Sequence, residues 1–313
     1  MSFTVSVVIP CHDAERWIEA ALRSVAAQRC APAEVIVVDD ASKDGSLDRV
    51  RASGLPVTVL RAPGGNAARA RNVGIRAARG EWVAFLDADD VWYPDHLARA
   101  RERLEGGEDV AFMANHDWID LEGRRLEMPP TLRHRLASAK GLPASGFIEV
   151  LAGGFHFGHS TVLVRRDRSL QVAGFDERQV RRHDIDHWLR ALRGRTWAYS
   201  AEPAAGYRIG TGGISGDVVT CELYWLQALS RNRDEGYAQP AMDALIRTAA
   251  RRAMSLAFVD GGPDDLRRAR LLAWPHLAPG FRAFYRAAAL SPSLFRDAIR
   301  FKRRIRRLAG VQA

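Results

Sequence analysis

Cysteine is scarce in this chain: Cys11, Cys30 and Cys221 are the three in 313 residues. An odd, widely spaced set argues against a disulfide framework and for a reducing compartment. No window approaches the ~20 consecutive apolar residues that a membrane-spanning helix needs. The opening Met1-Ser2-Phe3-Thr4 carries no basic leader, so the expectation is a cytoplasmic protein, neither secreted nor membrane-spanning. Internal repeats and low-complexity tracts are lacking. Cys and His pairs at ligand spacing are lacking too, which argues against zinc, and His12, His116 and His187 receive no role. Acidic charge is in deficit, with a net charge of +9, but the excess is local. Arg296, Arg300, Lys302, Arg303, Arg304, Arg306 and Arg307 against Asp297 leave +6 in the last 18 residues. With Leu294, Phe295, Ala298, Ile299, Ile305 and Leu308 they make residues 294–308 a basic amphipathic helix. It could touch anionic lipid, pack with its charges solvated, or meet a partner protein. No nucleic-acid reading motif accompanies it, so nucleic acid is not an expected partner.

What the chain does have is carboxylate at the ends of apolar runs. Trp82-Val83-Ala84-Phe85-Leu86 leads into Asp87-Ala88-Asp89-Asp90, and Val35-Ile36-Val37-Val38 into Asp39-Asp40. Val5-Ser6-Val7-Val8-Ile9-Pro10 is a third such run. Runs that are β-branched and do not alternate fit strands buried on both faces of a parallel sheet. Between them the spacing turns helical. Trp17, Ile18, Ala21, Leu22 and Val25 share one face, Leu47 and Val50 suggest a second helix, and residues 67–78 a third closed by Arg79-Gly80. The order β-α-β-α-β-α-β with right-handed crossovers puts the strand ends along one rim, where ligands of open sheets bind. Carboxylates are hard oxygen ligands suited to a divalent metal carrying a diphosphate. The bland alternative is that these Asp residues merely end strands.

Val7-Val8-Ile9-Pro10, Val37-Val38-Asp39-Asp40-Ala41-Ser42-Lys43-Asp44, Ala70-Arg71-Asn72-Val73-Gly74-Ile75 and Phe85-Leu86-Asp87-Ala88-Asp89-Asp90 resemble, in order, the motifs of family 2 glycosyltransferases with a GT-A fold. The resemblance runs over about residues 3–210. It implies an α/β, Rossmann-like, mostly parallel sheet flanked by helices. It also implies inverting sugar transfer from a nucleotide-diphosphate sugar, assisted by Mg2+ or Mn2+. Carried over, Pro10 and the loop after it line the nucleotide and Asp39 holds the base. Arg71 sits near the nucleotide or its diphosphate, unless it is an ordinary solvated helix arginine. Asp87 contacts the ribose side, and Asp89 is the principal metal ligand. Asp40 and Asp90 rank lower, as braces or helix caps.

The second half must supply an acceptor site and a base. The resemblance aligns Gly174-Phe175-Asp176-Glu177 and then His183-Asp184-Ile185-Asp186-His187-Trp188-Leu189 with the family's acidic pair opening a helix. It makes Asp184 the general base, taking a proton from the acceptor hydroxyl as oxygen attacks the anomeric carbon opposite the departing nucleotide. In the competing reading Asp184 only caps a helix and Asp186 is exposed on its first turn. The chain departs from the pattern at His183, where Glu is usual, and at Gly210, where many relatives carry His. Arg208 either adds charge near the leaving diphosphate or faces solvent, and the glycines after it suggest a loop that closes over the donor. His156, His159, His183 and Trp188 are candidate linings of the acceptor groove, against the alternative that the aromatic residues are core.

The expected organisation is a catalytic domain over residues 1–216, with a nucleotide-sugar half at 1–115 and an acceptor half at 116–216, and a helical C-terminal extension at 217–313. Helices are expected over 218–235, 240–259, 263–273 and 281–290. The function expected is inverting glycosyl transfer in cell-envelope or extracellular polysaccharide assembly. A UDP-sugar is preferred from family frequency, and the acceptor is a saccharide or lipid-linked saccharide, in the cytoplasm or at the cytoplasmic face of the inner membrane. Transfer to a polyprenyl phosphate and a catalytically inactive nucleotide-binding scaffold are the alternatives.

Overall fold

A computed structural model describes residues 3–127, 138–154, 157–212, 217–237 and 239–290. His156 and the basic segment 294–308 lie outside the described residues. The chain divides into two compact units, Met1–Gly213 and Ile214–Ala313.

The first unit begins as the apolar runs predict. Strand β1 (Val5–Cys11), helix α1 (Ile18–Ala26), β2 (Glu34–Asp39), α2 (Ser46–Ala52), β3 (Val57–Arg61), α3 (Ala67–Ala77) and β4 (Trp82–Phe85) follow in order. Then come β5 (Val91–Trp92), α4 (His96–Leu104), β6 (Ala111–Ile119), β7 (Arg125–Leu126), β8 (Ala139–Pro143) and α5 (Ala144–Ala152). A short 3-10 turn at His159–Thr161 leads to β9 (Val162–Arg165), α6 (Arg166–Gln171), α7 (His183–Leu192) and β10 (Thr196–Arg208). One ten-stranded sheet runs β3-β2-β1-β4-β9-β6-β10-β5, with β7 on β6 and β8 on β10. The first four strands are parallel. Beyond them β9 is antiparallel to both β4 and β6, β6 and β10 are parallel, and β5 returns antiparallel on β10.

Period-two alternation sorts β1 between two layers. Val5, Val7, Ile9 and Cys11 join a core with Ile18, Leu22 and Val25 of α1 and Leu97, Ala100 and Leu104 of α4. On the opposite face Val8 meets α3 at Gly74, where an added Cβ would stand 2.3 Å from Val8 Cγ1. Glycine inside a helix costs roughly 1 kcal/mol against alanine, and here that cost permits direct helix-on-strand contact. β1 lies between β2 and β4, with Cys11 in register with Asp39 and Val8 with Phe85. Asp39 and the turn 87–90 therefore leave the sheet at one rim, on either side of the same strand.

The second unit is helical: α8 (Val218–Asp234), α9 (Pro240–Val259), α10 (Pro263–Ala273) and α11 (Pro279–Leu290). Asp217 caps α8 by accepting the Thr220 N–H at 3.0 Å, and proline stands in the first turn of α9 and α10, where its missing N–H costs nothing. Leu223, Leu226, Met242, Ile246, Met254 and Ala269 are buried in it. Among the described residues no helix is long and apolar enough to cross a membrane.

Candidate active site

Asp39 ends β2 in a buried position, and one carboxylate oxygen accepts the Ser42 N–H at 3.0 Å. Asp40 is a brace. Its Oδ2 accepts the Asn66 N–H at 2.8 Å, fixing the residue that caps α3, and its own N–H donates to Cys11 O at 2.7 Å. Pro10 lies on β1 in register with Val38.

The four residues after Leu86 do different work. Asp90 is buried: its Oδ2 accepts the Ser160 hydroxyl at 2.6 Å and its Oδ1 accepts the Arg208 N–H at 2.8 Å. Burial, with the charges of Asp89 and Asp87 added, pushes its carboxyl well above the ordinary range. Ser160 also accepts the Asp87 N–H at 3.0 Å, so one hydroxyl pins both ends of the turn. Asp89 is less buried than Asp90; its Oδ2 accepts the Thr211 hydroxyl at 2.8 Å, and burial, then the Asp87 charge, raises its carboxyl. Arg208 does not face solvent. It is 5% exposed and lies 4.7 Å over the Trp17 ring. Its Nε donates to Asp89 O at 2.8 Å and its Nη1 to Asp120 O at 2.7 Å, so it ties β10 to the carboxylate turn.

Arg71, on α3, is buried at 4% exposure and is not a solvated helix arginine. Its Nη2 donates to Asp87 Oδ1, and its Nη1 meets His183 Nε2 at 3.0 Å. A guanidinium only donates, so His183 accepts. Burial holds His183 well below the usual histidine range, with the Arg71 charge acting the same way. Asp184 follows on the first turn of α7; burial raises its carboxyl, while the charges of Arg182 and Arg71 oppose the rise. Asp186 is not exposed: it is fully buried and paired with Arg190 at 2.9 Å.

The acceptor-wall expectation needs correction. Trp188 is fully buried against Phe85, Phe175 and His159, so no face of its ring is open to a sugar. His159 and His183 are 8% and 3% exposed; His183 bonds Arg71 and His159 approaches Asp87 at 3.8 Å. His156 lies outside the described residues.

The segment before α7 is docked on α3. Asn72 donates to Phe175 O at 2.9 Å and accepts the Phe175 N–H at 2.8 Å, and Glu177 takes Arg69 at 2.9 Å and Asn72 at 3.1 Å. One helix thus carries both the arginine that reaches Asp87 and the anchor of the segment leading into α7. Sequence reasoning gave no part to Ser160 or Thr211, and no pattern in the chain marks either; Asn72 stood inside a quoted motif without a role.

No group of three His, Cys, Asp or Glu that could hold a metal occurs among the described residues. Mg2+ or Mn2+ held with a diphosphate needs only one or two protein carboxylates, the rest being phosphate and water. Asp89, with Asp87 beside it, fits that half-site. Both are hard oxygen donors; the Asp89 carboxyl is raised first by burial and then by the Asp87 charge, a repulsion that a cation would relieve.

Residues 6–167, just over half the chain, match the family described as glycosyl transferase family 2. The amylovoran biosynthesis glycosyltransferase AmsB of Erwinia amylovora is 34% identical over 72% of this chain and 77% of its own length. The succinoglycan biosynthesis protein ExoO of Rhizobium meliloti is 36% identical over 65% of this chain and 59% of its own length. Among solved structures, S. aureus TarS in complex with UDP-GlcNAc superposes with a TM-score of 0.68 at 17% identity, over 87% of this chain and 80% of that one. The mannosyltransferase PcManGT from Pyrobaculum calidifontis, in complex with GDP-Man and Mn2+, gives 0.56 at 19% identity over 98% of this chain and 88% of that one. The fold is GT-A. The chain belongs to glycosyl transferase family 2 and is a glycosyltransferase.

Proposed function

We propose that the chain transfers a sugar, with inversion, from a nucleotide-diphosphate sugar to an acceptor hydroxyl in cell-envelope or extracellular polysaccharide biosynthesis. One observation carries this reading above the rest. A single buried guanidinium, Arg71, bonds Asp87 on the turn after β4 and also His183, the neighbour of Asp184 on α7. One donor-side carboxylate and the neighbour of a candidate base are thus fixed to one group. In this reading Pro10 and Asp39 line the nucleotide, with Asp39 accepting a base N–H, and Asp87 lies on the ribose side. Asp89 would hold Mn2+ or Mg2+, which when bound supplies positive charge to the leaving diphosphate. Arg71 holds Asp87 in place, and Asp184 takes the acceptor proton. A base on the acceptor side with no covalent nucleophile gives a single displacement and hence inversion.

The polysaccharide assignment is supported by AmsB and ExoO, named for amylovoran and succinoglycan biosynthesis. A uridine donor is supported by TarS, solved with UDP-GlcNAc, whereas the structure of PcManGT holds GDP-Man. The first unit would carry the chemistry and the helical unit would serve as an extension. A lipid-linked acceptor would place the protein at the cytoplasmic face of the membrane, in keeping with the basic sequence of 294–308.

Calorimetry with UDP, GDP and dTDP, each with and without Mn2+, tests the donor site. The wild type is expected to bind one of the three in a Mn2+-dependent manner, and Asp89→Ala to weaken that binding by roughly tenfold or more, since it removes the main protein ligand of a site with few. Wild-type protein that binds none of them would overturn the transferase reading in favour of an inactive scaffold.

A further inference from the structure

Behind Asp87 four side chains make a nearly closed circuit. Arg71 Nη2 donates to Asp87 Oδ1, and Arg71 Nη1 meets His183 Nε2 at 3.0 Å. The rings of His183 and His159 lie 5.1 Å apart. His159 Nδ1 then comes within 3.8 Å of Asp87 Oδ2, longer than a hydrogen bond.

The partners dictate the tautomers. Arg71 can only donate, so His183 accepts at Nε2 and carries its hydrogen on Nδ1. An ionised carboxylate can only accept, so the Nδ1–H tautomer is the one that favours the 3.8 Å approach of His159 to Asp87, and it leaves Nε2 as an acceptor. The two nitrogens left over, His183 Nδ1 and His159 Nε2, are therefore a donor and an acceptor. Both are buried and make no hydrogen bond among the described residues. A buried polar atom left unpaired costs stability, and both of these lie beside the carboxylate assigned to the donor.

We propose that His183 and His159 are positioning residues for the donor side of the reaction: His183 orients Arg71, His159 orients Asp87, and together they set the Asp87 carboxylate for the nucleotide sugar. This rests on the assignment of Asp87 to the donor site in the proposed function. The geometry separates it from an acceptor role. His183 sits next to Asp184 in sequence, yet its Nε2 is bonded to Arg71, whose other arm holds the turn after β4. The uncharged imidazole also matters. Arg71 with Asp87 is a neutral pair, and a carboxylate at position 183 would leave the group with a net negative charge beside a diphosphate.

The test compares side chains that keep or lose the relevant atom. Glutamine at 183 keeps an acceptor near the Nε2 position and leucine does not; asparagine at 159 keeps a donor near Nδ1 and leucine does not. The probe is UDP, GDP or dTDP, whichever the wild type binds, with Mn2+. His183→Leu is expected to weaken nucleotide binding about tenfold, the effect of one charge-assisted hydrogen bond, and His159→Leu, which removes a 3.8 Å contact, by about fivefold. His183→Gln and His159→Asn should stay within about threefold of wild type, and in the leucine variants donor KM should rise in step with the loss of nucleotide affinity. If His183→Leu does not fold, His183→Asn, which moves the acceptor to the Nδ1 position, replaces it with the same expectation. Unchanged nucleotide affinity in the leucine variants, or loss confined to turnover or to acceptor KM, would overturn the proposal while leaving the transferase reading intact. Wild-type protein that binds no nucleotide would instead remove the reading beneath it.

Discussion

Asp184→Asn is expected to lower turnover by about 10²–10⁴-fold, the range of a positioned general base, while nucleotide binding stays within a few-fold of wild type. Asparagine matches aspartate in shape but cannot take a proton. The loss should therefore appear in kcat with an acceptor alcohol, and calorimetry with the nucleotide and Mn2+ should show an intact donor site. The pH profile carries the same signature. Burial raises the Asp184 carboxyl above its ordinary value, against the charges of Arg182 and Arg71. A base works only when deprotonated, so the rate should rise with pH along an acid limb placed above the usual aspartate range of ~3.9, then level off. That limb should be missing from the residual activity of Asp184→Asn. Full activity in the variant would remove Asp184 as the base. It would favour transfer to an acceptor that is already ionised, such as a polyprenyl phosphate, for which no proton need be taken.

The parts of the fold legible in the sequence were those set by local pattern. Strands β1, β2 and β4 announced themselves as apolar runs because both their faces are covered, and α9 and α10 run from the prolines to the residues that the glycine and proline clusters indicate. Strand β3 was not named, since its side chains are half-buried or exposed at the sheet edge and leave no apolar run. The motifs located the rim but did not separate the jobs of neighbouring carboxylates. Asp89 and Asp90 are adjacent in one turn, and only the fold shows that Asp90 faces Ser160 and the Arg208 N–H while Asp89 faces Thr211. Partners 70 and 118 positions distant in sequence are invisible to spacing. Trp188 misled for a related reason. It stands on the helix that begins with His183 and Asp184, but helical rotation carries its side chain toward Phe85 and Phe175, into the core. Asp186 likewise reads as a polar first-turn residue until Arg190, one turn on, covers it.

Gly174→Ala is expected to cost about 3 kcal/mol of stability, more than a positive φ alone explains. Gly174 has φ +65°, and an added Cβ would lie 2.3 Å from Asn72 Oδ1. A side-chain tip can often swing away, but Asn72 is held by both backbone groups of Phe175 and by Glu177. Moving it breaks the pair that joins α3 to the segment leading into α7. The Gly174 carbonyl is itself occupied, by His187 Nδ1 at 3.0 Å and Arg190 Nη2 at 2.7 Å, so the backbone cannot shift freely either. Gly54 isolates the conformational part: it has φ +67° and nothing within 4 Å of the built Cβ. Gly54→Ala should therefore lose only the left-handed penalty, about 1 kcal/mol. Urea unfolding of the two variants beside wild type measures the difference. Because the same joint fixes α7 relative to Arg71, Gly174→Ala should also lower turnover under conditions where the variant remains folded, and Gly54→Ala should not. Equal destabilisation by the two substitutions would show that Asn72 yields without cost, and that α3 and the segment before α7 are joined mainly through Glu177 and Arg69.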